Sequence, residues 1–379
     1  MNVLVVGAGV FGAWSALELA RAGHRVTLVD AYGPANGRAS SADYTRVLRT
    51  GYGHDAIYSE WAVRSCERWR WLSGEAGTPL FEQTGALFMG APGHAYLRET
   101  YATLSSLGIA VEWLDVPDID CRWPQIATRG LGPAVYEPAA GVLRARGGVR
   151  AAVKVGIEHF GVSYTTRCIA PLDEARATPS VLTLTGERLD ADAYVIAGGP
   201  WLPRVLPQAV GDRIRATRQE VLYFGVPRGD DRHDARRLPV WIDFGAGLYG
   251  IPDFDANGFK VGIDRHGPPI DPDTADRLVD PAIVRSTADW LATRFPALAH
   301  APLVDGHVCQ YESSCTGDFI IDRHPAWANV WIAGGGSGHG FKHGPAVGRH
   351  VADLIDARCT AEPRFALAGK TAVAERAVY

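Results

Sequence analysis

The chain has 379 residues, 47% of them hydrophobic and 21% charged, with a formal net charge of -4. That is a soluble globular composition with room for two domains, and the mild negative charge without any Lys/Arg-rich run excludes nucleic acid or an acidic membrane as partner. No apolar stretch approaches the ~20 residues that span a bilayer, residues 3–6 are too short a run for a signal peptide, and the final Arg-Ala-Val-Tyr is no peroxisomal address, so a cytoplasmic protein is expected.

Residues 2–6 predict a buried strand, a glycine turn follows, and residues 10–22 predict a helix ended by Gly23. Residues 25–30 predict a second strand, completing a βαβ opening. A polar loop covers residues 31–45, and residues 57–72 read as an aromatic-rich amphipathic helix. Short strands at 85–89 and 111–114 flank a helix at 95–106. The α/β rhythm returns with a helix at 147–160, a strand at 162–169 and an apolar strand at 193–197. Alternation predicts an antiparallel strand at 214–224, with others at 240–244, 248–251 and 259–264 and a helix at 274–293. The tail predicts a strand at 330–333, a glycine cluster, and a helix at 345–356.

The α/β segments are thus interrupted twice by antiparallel-rich ones. The expected class is α/β: a Rossmann-like dinucleotide-binding domain (residues 1–80, 140–213 and 305–379) interleaved with an α+β substrate domain (81–139 and 214–304) whose sheet is mostly antiparallel. Six cysteines (66, 121, 168, 309, 315 and 359) form no Cys-x-x-Cys pair, so neither a zinc site nor a disulfide framework is expected.

Gly7-Ala8-Gly9-Val10-Phe11-Gly12 fits the G-x-G-x-x-G fingerprint between a strand and a helix. Gly7 permits the tight turn, Gly9 lets a pyrophosphate touch the backbone, Gly12 lets the helix pack on the strand, and the free N–H groups from Val10 and Phe11 onward face the phosphates. Asp30, ~20 residues on, ends the second strand where an acid accepts ribose hydroxyls. The bland alternative is a glycine turn that binds nothing and a solvated strand-end charge. Two later glycine clusters, around Gly198-Gly199-Pro200 and from Gly334 through Gly338 to Gly340, bring backbone back towards a ligand. The second precedes a helix whose N-terminus suits the N1–C2=O edge of a reduced flavin, which favours FAD over a nicotinamide.

The sequence resembles the monomeric sarcosine oxidase family, within the wider group of D-amino-acid and glycine oxidases. The resemblance runs nearly end to end. It is carried by the fingerprint, Thr45-Arg46-Val47-Leu48-Arg49, Ile270-Asp271-Pro272-Asp273-Thr274, Val308-Cys309-Gln310-Tyr311, Phe319-Ile320-Ile321-Asp322 with His324-Pro325, and Ser337-Gly338-His339-Gly340-Phe341-Lys342. It implies FAD, oxidation of a secondary or tertiary amino acid by hydride transfer to flavin N5, and reoxidation by O2 to hydrogen peroxide. It also implies a thioether from Cys309 to the flavin 8α carbon, Cys315 being the decoy six residues on. Taken alone, Cys309 reads as a small buried hydrophobe.

By the same resemblance Arg49 and Lys342 bind the substrate carboxylate, Lys260 serves oxygen, Arg46 is a second flavin-facing cation, and Tyr311 lies near the substrate. Their bland readings are a surface charge, a helix-capping side chain, a strand-edge lysine, an ordinary salt bridge and a core tyrosine. One departure matters. Where the family has a histidine four residues after the lysine, this chain has Asp264, with His266 two further on. An anionic Asp264 favours a cationic amine or a basic substrate side chain, and burial would hold it neutral instead. Leu248 stands where some relatives carry tyrosine, and the loop around Arg38 to Asp43 is slightly longer. The partners expected are a small amine or amino acid and O2, in a monomer or small homo-oligomer. The competing readings are a flavin-dependent amine dehydrogenase or demethylase with another electron acceptor, a nicotinamide dehydrogenase, and a non-catalytic flavoprotein subunit.

Overall fold

The computed structural model describes residues 1–370; the C-terminal Arg-Ala-Val-Tyr read above lies outside them. A six-stranded sheet runs in the order Ile320–Arg323, Val330–Gly334, Ala193–Ile196, Asn2–Val6, Arg25–Asp30, Ser163–Thr166. Its pairings are parallel except that of Ile320–Arg323 with Val330–Gly334. The central strands are buried on both faces and read as apolar runs, as a sheet covered on both sides requires. Helix Val10–Arg21 is buried from Val10 to Ala20. It nestles against helix Gly344–Ile355, where a Cβ on Gly348 would lie 2.5 Å from Trp14 backbone atoms.

The second sheet has eight strands, in the order Leu303–Ser314, Ile214–Phe224, Phe259–Ile263, Leu248–Ile251, Val240–Asp243, Ala86–Met89, Ala134–Glu137, Glu112–Leu114. It is antiparallel except between Val240–Asp243 and Ala86–Met89. Thr45–Leu48, Gly141–Arg144 and Phe81–Gln83 form a third, small sheet. Mixed α/β architecture with several sheets is therefore what the chain adopts.

Several expected elements differ in extent. The helix expected at 274–293 begins only at Pro281 and runs to Arg294. The Asp271 carboxylate accepts the N–H groups of Asp273 and Thr274, and Asp276 accepts that of Leu278. These local turns compete with helix until Asp280 caps it by accepting the Ala282 N–H at 2.7 Å. The strand expected at 162–169 spans only Ser163–Thr166. The pattern also missed Thr45–Leu48, Ala134–Glu137, Gly141–Arg144 and the capping-boxed helix Val116–Arg122, all too short to show a period. No helix among the described residues is long and apolar enough to cross a membrane.

Candidate active site

The first cleft lies at the C-terminal ends of the parallel strands, where open α/β sheets bind ligands. It is lined by Gly7, Gly9, Val10, Phe11, Asp30 and Gly199, among others. Gly7 has φ of 102°, a left-handed conformation that disfavours a side chain. A Cβ on Gly12 would fall 1.8 Å from Gly7 O, so that glycine is demanded by packing. A Cβ on Gly9 would meet only Ser41 Oγ, at 3.5 Å, so packing within the chain does not demand that glycine. Asp30 is no solvated charge. Its two oxygens accept the N–H groups of Ala8 at 2.7 Å and of Tyr32 and Gly33 at 2.8 Å, tying the glycine turn to the next loop. The Val10 N–H donates to Ser41 Oγ at 2.9 Å.

A clasp crosses the mouth of this cleft. Asp273 accepts hydrogen bonds from Trp201 Nε1 at 2.8 Å and Tyr32 OH at 3.3 Å and pairs with Arg204, which also reaches Asp271 at 2.7 Å. Glu312, which the sequence reading missed, lines the cleft as well, and its Oε2 has no partner among the described residues. Burial raises its carboxyl to about 7.

The Leu303–Ser314 strand divides the two cavities. Its side chains alternate, so Cys309 and Tyr311 line a second cavity while Glu312 faces the first. Arg46, Arg49, Tyr249, Asp264, Gly338 and Lys342 complete much of the second wall. Arg49 is 6% exposed and Lys342 5%, so neither is a surface charge. The Arg49 guanidinium lies 4.5 Å from the Tyr52 ring centroid, 5.7 Å from that of Phe88, and donates to Gly51 O. Glu137 steadies that turn by accepting the N–H groups of Thr50 and Gly51 at 2.7 and 2.6 Å and the Thr50 hydroxyl at 2.7 Å. Lys342 Nζ donates to Tyr52 OH at 2.8 Å and to His339 O at 3.3 Å. Burial holds the Lys342 ammonium well below its ordinary value.

Lys260 is 1% exposed and stands behind the cavity wall, not in it, its Nζ 5.8 Å from the Tyr249 ring centroid. It donates to Asp43 Oδ2 at 2.7 Å and Thr45 O at 2.9 Å. Asp43 also receives Arg46 at 2.9 Å and the Tyr223 hydroxyl. Burial pushes the Asp43 carboxyl up, but Lys260 and Arg46 beside it outweigh that and hold it well below the usual range. Two cations and one anion leave the cluster one positive charge. Asp43 has φ of 90°, a strain that its buried ion pairs hold in place.

Three expectations need correction. Leu248 is turned into the core with Trp241 and Phe259, and the adjacent Tyr249 lines the cavity, because strand neighbours face opposite sides. His266 does not share Asp264's direction: the strand ends at Ile263, and His266 is exposed, with Nδ1 3.5 Å from Ser313 Oγ. Gly340 lines neither cavity. A Cβ there would lie 2.8 Å from Gly336 Cα and 2.9 Å from the Phe11 ring, so it is a packing glycine.

Comparison with known proteins agrees with this geometry. The chain is 32% identical over 358 residues to the monomeric sarcosine oxidase of Bacillus sp. (strain B-0618), covering 93% of this chain and 91% of that one. Its fold is similar to L-proline dehydrogenase from P. horikoshii (TM-score 0.83, 21% identity, 97% and 96% covered). It is also similar in fold to NikD, an unusual amino acid oxidase essential for nikkomycin biosynthesis (TM-score 0.80, 21% identity, 96% of each chain covered). With its fingerprint, its acid and its two cavities in place, and matched over residues 2–354 by the model of the FAD dependent oxidoreductase family, the chain belongs to that family.

Proposed function

We propose that the protein is an FAD-dependent amine oxidase acting on a secondary, cyclic or N-methylated amino acid, with O2 as final acceptor and hydrogen peroxide as co-product. The observation that carries this reading is the pair of buried cations, Arg49 and Lys342, lining one cavity with Cys309 and Gly338. A buried cation pair without a committed acid suits a carboxylate, which an arginine fork binds in bidentate fashion. The relatives named as sarcosine oxidases act on such a molecule by name.

The first cleft fits a dinucleotide. Its glycine-lined wall runs from the first strand turn to Gly198–Gly199 and Gly334, and the turn carries a glycine at position 9 where packing leaves room for more. The first helix turns its N-terminus to a pyrophosphate, although its Val10 N–H is taken by Ser41, and Asp30 keeps lone pairs for a ribose. FAD, when bound, supplies the acceptor for a hydride equivalent. Arg49 and Lys342 hold the substrate carboxylate, Tyr311 and Tyr249 shape the wall, and Lys260 with Arg46 supplies positive charge to the oxygen step. We assign the cofactor to residues 1–80, 140–213 and 305–379 and the substrate to 81–139 and 214–304. The unpaired state of all six cysteines supports a reducing cytoplasm.

Cys309 is the residue we assign to covalent attachment. Its Sγ lines the second cavity, 3.9 Å from Arg46 Nη2, whereas Cys315 lines neither cavity and turns its Sγ towards Asp212 O at 3.4 Å. Acid-precipitated protein should keep its yellow colour in the pellet, and Cys309→Ala should release it. Colour released by the wild type, or retained by Cys309→Ala, contradicts the assignment. The function itself is tested by a peroxide screen with sarcosine, L-proline, N-methyl-L-tryptophan and primary amino acids. A second reading, in which another acceptor replaces oxygen, is favoured by Lys260 standing behind the cavity wall and not lining it. Dye reduction without peroxide from the same amine would establish that reading instead.

A further inference from the structure

The second cavity holds an acid that the carboxylate clamp does not explain. Asp264 follows the Phe259–Ile263 strand, and its backbone N–H donates to Gly247 O at 2.8 Å, which fixes the residue at the strand end. Its side chain lines the cavity with Arg49, Lys342, Tyr249 and Tyr311 and makes no hydrogen bond to any described residue. The other acids nearby are committed. Asp43 is engaged by Lys260, Arg46 and Tyr223; Glu137 by the Thr50–Gly51 backbone; and Glu220, also in the wall, by Arg218 at 3.0 Å. Among the described residues lining this cavity, Asp264 is the one acid whose carboxyl has no hydrogen-bond partner.

An amine that is to surrender a hydride equivalent must first lose its ammonium proton, because a protonated nitrogen has no lone pair to push. The neighbours are poor acceptors. Arg49 is a donor only, and Lys342 Nζ is engaged with Tyr52 OH and His339 O. Both ring nitrogens of His339 are engaged, Nε2 with Gly317 O at 3.1 Å and Nδ1 with Tyr52 OH at 3.4 Å. Burial raises the phenols of Tyr249 and Tyr311. We propose that Asp264 accepts the substrate's ammonium proton and thereby makes the pocket selective for carboxylates that also bring a charged amine. The N–H bond breaks, its electron pair stays on nitrogen, and the proton passes to an Asp264 carboxylate oxygen. The neutral amine then gives up the hydride equivalent from its adjacent carbon to the acceptor already described. The inference rests on the clamp reading above. Burial raises the Asp264 carboxyl to about 7 against the pull of Arg49 and Lys342, which matches a group that exchanges a proton near neutrality.

Two profiles should run in opposite directions through that range. Ionised Asp264 repels a carboxylate that has no amine, so acetate binding should weaken as pH rises. Ionised Asp264 is the competent acceptor, so flavin reduction by an amine should quicken over the same range. The test uses the flavin-loaded full chain, wild type and Asp264→Asn, between pH 6 and 9. Acetate is titrated by its effect on the flavin spectrum. Anaerobic reduction is followed with the fastest of sarcosine, L-proline and N-methyl-L-tryptophan. In the wild type the acetate Kd should rise towards ~10-fold per pH unit above the transition, the limit for one titrating group. In Asp264→Asn the part of that slope due to Asp264 should be lost, and whatever titration of Lys342 contributes should persist and so be told apart. The variant should reduce at least ~10-fold more slowly at pH 7 and recover as pH nears the amine's own pKa, since one positioned base is worth ~100-fold or more. An unchanged acetate profile in the variant, or equal reduction at pH 7, overturns the proposal. Acetate without effect on either protein, while the amine still reduces the wild type, sinks the clamp instead and leaves Asp264 to be judged on reduction. Reduction by none of the three amines sinks the amine-oxidase reading and this inference with it.

Discussion

Replacing Lys260 with methionine is expected to slow reoxidation of the reduced enzyme by O2 by roughly 100-fold or more, while anaerobic reduction by substrate changes little. Negative charge develops on oxygen as it takes up electrons, and a preorganised cation in a dry site stabilises it; removing one such group costs ~100–1,000-fold. The Lys260 cluster suits that task because its charge is fixed before oxygen arrives, with Nζ held by Asp43 and Thr45 O. Methionine fills similar volume, and Asp43 keeps Arg46 and Tyr223 as partners, so the fold should survive. Stopped-flow reoxidation at several O2 concentrations gives the rate directly. Equal slowing of both half-reactions would show that Lys260 supports the site's shape and has no separate role with oxygen.

Replacing Arg49 with alanine is expected to weaken acetate binding, and to raise the KM for an amino acid substrate, by at least ~30-fold. Losing one charged partner of a buried pair costs ~2–5 kcal/mol, much of it from the partner left unpaired. Lys342 alone would not make up the loss, because burial already depresses its ammonium and a point charge lacks the bidentate fork. Arg49→Lys serves as the control: it keeps the charge near Tyr52 and Phe88 and should recover part of the affinity. Acetate that binds Arg49→Ala as tightly as the wild type would mean that the carboxylate goes elsewhere.

The parts of this site that could be read from the sequence are those whose geometry leaves a local trace. A glycine turn between strand and helix has to be written as glycines. The alternation that puts Cys309 and Tyr311 on one face follows from strand period alone. Asp43, Glu137 and Glu312 were invisible, because their partners come from far along the chain: Asp43 meets Lys260 across 217 positions, and Glu137 meets Thr50 across 87. No spacing rule announces such a meeting. The exchange of Leu248 for Tyr249 is a one-residue register error, which in a strand moves a side chain to the opposite face. His266 failed for a related reason: period two was carried past the point where the strand stops. The delayed helix start at Pro281 reflects aspartates whose side chains hold the preceding turns, a competition that hydrophobic periodicity does not register.

The strand order of the six-stranded sheet sets a timetable for biosynthesis. Its strand Asn2–Val6 leaves the ribosome well ahead of one of its neighbours, Ala193–Ile196, which follows some 190 positions later. The next strand outward, Val330–Gly334, and helix Gly344–Ile355, which covers the first helix, come later still. Synthesis at ~5–20 residues per second therefore leaves the apolar face of the first βαβ unit without its final cover for tens of seconds. Contacts of such sequence separation also fold slowly once the chain is free. A chaperone that shields the nascent first third, or slow growth at low temperature, should thus govern the yield of folded protein more strongly than the stability of the finished fold.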